Sequence, residues 1–261
     1  MEAILILKAV IIGIVEGITE FFPISSTTHI SLASDFLHFK SIPSFESVIQ
    51  IGAICSFIFL YRKDIFKILT SLNKKKSYTF VGNITAAFIP TVMIGFLAKD
   101  SVDSLTQGVN VIPLSLIFGG AVLIIITKMN PRGKYKDISS IPLWIVLLIG
   151  SFQSLAMIPA VSRLGATIVV GRFLNLDMKT SILFSFFLAI PTIFGAGAYD
   201  LYNNYAALQT NDIYLMSIAG ISAFLVGIPV ARWAINYMTK HGLEVFGWYR
   251  IALAILIVSF L

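Results

Sequence analysis

Six runs of this chain stay apolar for about as long as a helix needs to cross a bilayer, roughly 20 residues. They lie near residues 45–61, 79–98, 109–127, 180–200, 213–238 and 245–261. Lipid offers a backbone no hydrogen-bond partners, so runs of this kind must close their own bonds as helices. Composition agrees: 57% of the residues are hydrophobic, mean hydropathy is +0.89 and only 12% are charged, against roughly 25% in soluble domains. The expected fold class is all-α integral membrane, with most of the chain in the bilayer. A net charge of +6 would suit nucleic acid, but the basic residues sit in short loops between apolar runs. That placement belongs to membrane topology, so membrane lipids, not nucleic acid, are the expected partners. The single cysteine, Cys55, excludes an internal disulfide and argues against a zinc cluster. The N-terminal MEAILILKAV has neither a basic n-region nor an A-x-A-like site, so it does not read as a cleaved signal.

Two further apolar stretches, 3–37 and 141–175, are too long for one span and are broken by Pro and hydroxyl residues, at FPISSTTH and IPAVSRLGAT. Each reads as a re-entrant pair of half-helices meeting at an irregular loop, which must be buried in protein or line a cavity. The two stretches resemble each other: Gly13-x-x-Glu16 before Pro23-x-x-Ser26 matches Gly150-x-x-Gln153 before Pro159-x-x-Ser162. A pair returns to its own side and three spans do not, so the second half enters from the opposite face. The expectation is one membrane domain over 1–261, six full spans plus two re-entrant pairs, as an inverted-topology repeat (about 1–127 and 141–261).

Loop charges orient it. One side carries Arg62, Lys63, Lys67, Lys74, Lys75, Lys76, Lys128, Arg132, Lys134, Lys136, Lys179 and Lys240; the other has little beyond Lys8, Lys40 and Lys99. The positive-inside rule makes the first side cytoplasmic, with both termini outside. The longest polar loop is about 62–78, so no soluble domain is expected.

The chemistry gathers at the two breaks. Glu16 and Glu20 lie i,i+4 on one helical face, followed by Pro23 and by Ser25, Ser26, Thr27, Thr28 and His29. An ionisable residue in a membrane segment marks a functional site by default; snorkelling from a helix end is the plain alternative. Arg163, directly after Ser162, needs an anion when buried. Its candidates are Glu16, Glu20 or a phosphate, which suits its planar fork. Ser25–Thr28 lead into a half-helix whose N-terminus offers free N–H groups to an anion, and Ser162, Gly165 and Thr167 repeat that arrangement. These are the parts of a phosphoryl-transfer site. His38 and His241 read as interfacial.

Glu16–His29 (EGITEFFPISSTTH) and Pro159–Thr167 (PAVSRLGAT) resemble the two signature regions of the undecaprenyl-pyrophosphate phosphatase family, also known for bacitracin resistance. The likeness continues at Phe45, Gln50, Gly52, Ile89-Pro90, Ser185-Phe186, Ala189-Ile190-Pro191, Asp200-Leu201-Tyr202 and Tyr249-Arg250. The resemblance implies an enzyme of the plasma membrane that removes the terminal phosphate of a polyprenyl diphosphate on the outer face, recycling a lipid carrier of cell-envelope glycans. It implies catalytic roles for Glu16, Glu20, Ser26, His29 and Arg163. Phosphate would be held by Ser25, Ser26, Thr27, Ser162, Arg163 and Thr167, and a divalent cation, Mg or Ca, by Glu16 and Glu20. His29 as base for Ser26 is the favoured pairing, with His29 itself as nucleophile the other. Thr28 stands where the family usually has Gly, and Ala160 and Leu164 replace Gly and Ser. Carrier preference, undecaprenyl or dolichol type, is open on these grounds. A transporter or flippase of polyprenyl phosphate and a weak lipid-binding homologue are the rival readings, and a homo-oligomer is compatible with all three.

Overall fold

The computed structural model describes residues 2–40, 42–105, 111–129 and 133–259, without the side chains of Glu2, Lys99, Asp100, Asp103 and Leu105. Among them the chain is helical apart from loops and one isolated bridge between Tyr135 and Leu176. Both broken stretches are helix pairs: α1 (Glu2–Thr19) with α2 (Ser26–Phe36), then, after the long helices of the first half, α7 (Leu143–Gln153) with α8 (Arg163–Phe173). Between them run α3 (Phe45–Leu60), α4 (Arg62–Leu69), α5 (Lys75–Leu105) and α6 (Val111–Met129). After the second pair come α9 (Met178–Asn204), α10 (Thr210–His241) and α11 (Glu244–Ser259).

By length and composition α5, α6, α9 and α10 can each cross a membrane, and α3 with α4 makes a fifth candidate bent by 74°. The expected count was six. The difference lies in α3 and α11, whose sixteen described residues rise only about 24 Å, short of a core of about 30 Å; residues 260–261 lie outside the description. The polar loop 62–78 is largely helix. There α4 turns away from α3, with Arg62, Lys63 and Lys67 exposed beside Phe66 and Leu69. Arg132 lies outside the described residues, as does the Lys99 side chain.

Lipid is as apolar as leucine, so close packing between small residues must hold such helices together. Gly13 and Gly17 of α1 lie against the backbone of Ala219 and Ala223 in α10, and Gly150 of α7 lies against that of Ala87 in α5. A Cβ at any of these would strike a carbonyl. Thus the first half-helix of each pair packs on a long helix from the other half of the chain. An aromatic cluster supports the first loop: Phe21 meets Phe186 at 5.6 Å, and Phe57 stacks on Phe186 at 5.1 Å.

Each pair is tied at its mouth. Lys8 Nζ donates to His38 O (3.3 Å), joining α1 to the chain just after α2. Tyr135 N donates to Asn175 O and Asp177 N to Tyr135 O, joining the approach to α7 with the exit from α8. The second mouth lies among the basic loops, where Lys76 pairs with Asp137. Burial pushes the Asp137 carboxyl up, and hydrogen bonds from Lys76 and Ser139 outweigh it, leaving its pKa below the usual value.

Candidate active site between the two loops

Helix α1 ends because Pro23 has no N–H to give and its ring blocks the preceding turn. The chain turns through Glu20–Ile24 with backbone bonds Phe22 N to Thr19 O and Ile24 N to Phe22 O. Phe21 and Phe22 are buried and anchor the turn. Ser25 then takes a left-handed conformation (φ 71°) and α2 begins without a side-chain cap. The N–H groups of Ser26, Thr27 and Thr28 have no partner among the described residues. The second loop, after a 3-10 turn at Ser154–Met157, passes Ala160 at φ 63° and caps α8 differently. Ser162 is extended, and its Oγ accepts from Gly165 N at 3.1 Å.

The two loops meet at Glu20. Its Oε2 accepts from Ser26 Oγ (2.6 Å) and its Oε1 from a guanidinium nitrogen of Arg163 (2.9 Å). Both side chains of the ion pair are nearly enclosed, at 10% and 18% exposure. Ser25 Oγ bonds the hydroxyls of Thr27 (3.2 Å) and Thr28 (3.0 Å). His29 faces elsewhere. Its Nδ1 reaches Ser25 O at 2.7 Å, and since a carbonyl only accepts, Nδ1 carries the proton. Its Nε2 meets the Tyr249 hydroxyl at 2.6 Å, and the two rings stack.

A cavity of about 690 Å³ opens from this junction. Glu20, Ser25, Ser26, Thr27, Ser162 and Arg163 line one end, while Phe88, Val92 and Phe96 of α5 and Ala196 of α9 form an apolar flank, with Met157 of the 3-10 turn beside them. It follows the halves of those helices that lie away from Lys75 and Lys179. Six expected residues therefore share one wall, and three do not line it. Thr167 is buried, with its hydroxyl turned back to Arg163 O (3.0 Å) and Leu164 O (3.2 Å). His29 stands behind Ser25. Glu16 lies one turn below Glu20, fully buried beside that carboxylate, and among the described residues no N–H or hydroxyl donates to either of its oxygens.

Two orphaned carboxylate oxygens beside a second carboxylate fit a hard divalent cation, which takes oxygen ligands only. No group of three His, Cys, Asp or Glu gathers among the described residues, so such an ion would need hydroxyl, water or phosphate oxygens as well.

The family model described as bacitracin resistance protein BacA matches residues 9–256. The chain belongs to this family. Among its relatives, the undecaprenyl-diphosphatase of Cereibacter sphaeroides is 38% identical over 97% of this chain and 98% of its own. Undecaprenyl-diphosphatase 1 of Mesorhizobium japonicum is 39% identical over 98% of this chain and 96% of its own. Undecaprenyl-diphosphatase 2 of Paramagnetospirillum magneticum is 38% identical over 94% and 95%.

Sequence reasoning missed Arg250. It is 2% exposed and has no carboxylate partner among the described residues. Instead it donates to Pro23 O (3.2 Å) in the first loop, Ala160 O (3.0 Å) in the second, and Ser115 O (3.0 Å) and Leu116 O (3.4 Å) on α6. One cation in α11 thus ties both loops together. A lone Arg inside the apolar run 245–261 was the available signal. Tyr249, which holds His29, and Gln153, whose Nε2 donates to Thr192 (2.9 Å) and Thr91 (3.2 Å), were not assigned a part either.

Proposed function

We propose that this chain hydrolyses an undecaprenyl-type polyprenyl diphosphate, releasing inorganic phosphate and leaving polyprenyl phosphate. The observation that carries this is the Ser26–Glu20–Arg163 chain at one end of a cavity whose wall is mostly apolar. A volume of about 690 Å³ is that of a drug-sized ligand site. It suits a diphosphate head with its first isoprene units, while the rest of the chain stays in lipid.

In this reading Ser26 Oγ attacks the terminal phosphorus and its proton passes to Glu20 Oε2, already 2.6 Å away. The bond from phosphorus to the bridging oxygen breaks, and polyprenyl phosphate leaves. Water then attacks the phosphoserine, giving up a proton as the Ser26 O–P bond breaks; Ser26 regains its proton and phosphate departs. Arg163 and the free N–H groups at the start of α2 stabilise charge on the phosphate oxygens. The base role moves from His29 to Glu20, and His29 becomes the strut that sets Ser25. Glu16 and Glu20 would hold a divalent cation, which when bound neutralises phosphate charge.

The chain is a multi-pass membrane protein, and we read it as a single domain with termini and cavity mouth on the outer face. The basic loops support that orientation, as does the cavity's position away from them. The exchanged packing of α1 on α10 and α7 on α5 supports an inverted repeat. Phosphate release from purified protein and a short-chain polyprenyl diphosphate tests the activity. Release abolished by Ser26→Ala is expected; binding without release would point to a transporter or an inactive homologue.

A further inference from the structure

A second cavity, of about 350 Å³, lies at the basic end of the long helices and shares no lining residue with the first. It is bounded by Tyr61 at the end of α3, Lys179 in the first turn of α9, and Arg232, Asn236 and Thr239 in the last turns of α10. Neither Lys179 nor Arg232 has an ion-pair or hydrogen-bond partner among the described residues. The nearest acid in sequence, Asp177, already caps α9 by accepting from Thr180 N at 2.7 Å. The Thr239 hydroxyl is turned back to Ile235 O (2.6 Å), so two unneutralised cations, an amide and the Tyr61 hydroxyl converge on one space with no carboxylate in its wall.

Its surroundings are those of a membrane interface. Phe59 of α3 and Phe66 and Leu69 of α4, the helices that meet at Tyr61, are exposed, and α4 leaves α3 there at 74° with its charged and apolar sides divided. A short amphipathic helix of that kind lies along the headgroup layer, and basic pockets between spans at that level take anionic headgroups. We infer that this groove binds the phosphate headgroup of an anionic phospholipid from the leaflet on the basic side. Lys179 and Arg232 contact the phosphate, Asn236 and the Tyr61 hydroxyl complete its hydrogen bonds, and the acyl chains run past the exposed apolar side chains of α3 and α4.

The test is lipid retention by the delipidated full-length chain, measured by native mass spectrometry with phosphatidylglycerol or phosphatidylcholine. Wild type should retain one phosphatidylglycerol in preference, and Lys179→Gln/Arg232→Gln should lower that preference by about 25-fold, about fivefold for each basic residue. Phosphate release in detergent should change less than about twofold, since neither residue lines the other cavity; this also shows that the variant is folded. Equal retention of the two lipids by wild type, or an unchanged preference in the double variant, overturns the proposal. So does full displacement of the lipid by millimolar inorganic phosphate, which would make the groove a site for the free ion.

Discussion

The two loops occupy matching places in the two halves of the chain, yet they offer opposite chemistry. The first is acidic and open: Glu16 and Glu20 precede it, and α2 starts with uncapped N–H groups facing the cavity side. The second is cationic and closed: Gln153 stands where the first has Glu16, Arg163 follows the break, and Ser162 spends its oxygen on capping α8. In the proposed reading the first loop reacts and the second clamps. The cap decides which helix end can receive an anion, because a satisfied N–H has less to give a phosphate.

If that division is right, Ser26→Ala should lower kcat/KM by about 1,000-fold or more, whereas Ser162→Ala should leave kcat within about fivefold. Arg163→Lys should fail nearly as badly as Arg163→Ala, by about 100- to 1,000-fold, since lysine cannot reproduce a fork of donors. Steady-state phosphate release measures both. Equal losses at Ser26 and Ser162 would break the comparison outright.

The carboxylates come next. Glu16→Gln is expected to cut turnover by about 100-fold and to remove most of the response to a divalent cation. A chelator should inactivate wild type and added Mg or Ca restore it. A wild type indifferent to chelation would leave Glu16 as a proton holder and not a metal ligand.

Arg250 sharpens the comparison from the side, because it holds both loops at once. Arg250→Met takes the donor from two loop carbonyls, Pro23 O and Ala160 O, each loss costing about 1–3 kcal/mol. A large fall in thermal unfolding temperature is expected, with a lower kcat as Ser26 and Arg163 lose register. Stability lost with kcat intact would make Arg250 a support of the bundle alone.

Much of this was legible because membrane chains advertise their exceptions. Pro23 and Pro159 mark the breaks, and charges inside apolar runs mark Glu16, Glu20 and Arg163 as residues with a purpose. Span boundaries followed from run length, and the long helices α5, α9 and α10 cover their expected stretches. What could not be read was pairing. The i,i+4 spacing joins Glu16 to Glu20 and places His29 one turn from Ser26, but side-chain direction is set by what arrives from distant helices. Tyr249, 220 residues away, takes His29, and Arg163, 143 residues away, takes Glu20. Arg250 shows the same limit, since its partners are backbone carbonyls and carry no sequence signal. The bend after α3 was also hidden, because residues 62–69 are as polar as a loop while folding as a helix.

The smallest expected effects come from the two positions where the family usually has glycine, and they should carry opposite signs. Ala160 sits in the left-handed region at φ 63°, where a Cβ costs roughly 1–2 kcal/mol. Ala160→Gly relieves that strain and removes one buried methyl packed among Leu116, Leu253 and Ala254. In lipid or detergent a methyl buried against protein gains only its packing, because the alternative environment is equally apolar. Strain relief should therefore win, raising stability by up to about 1 kcal/mol with little change in activity. Thr28 lies inside α2 with a buried side chain. Thr28→Gly gains nothing there, loses the hydroxyl bond to Ser25 at 3.0 Å, and lowers stability by several tenths of a kcal/mol or more through helix propensity alone. Unfolding of both variants in the same detergent reads the difference directly. If Ala160→Gly destabilises as Thr28→Gly does, packing outweighs backbone strain in the second loop, and the contrast between the loops rests on charge and capping alone.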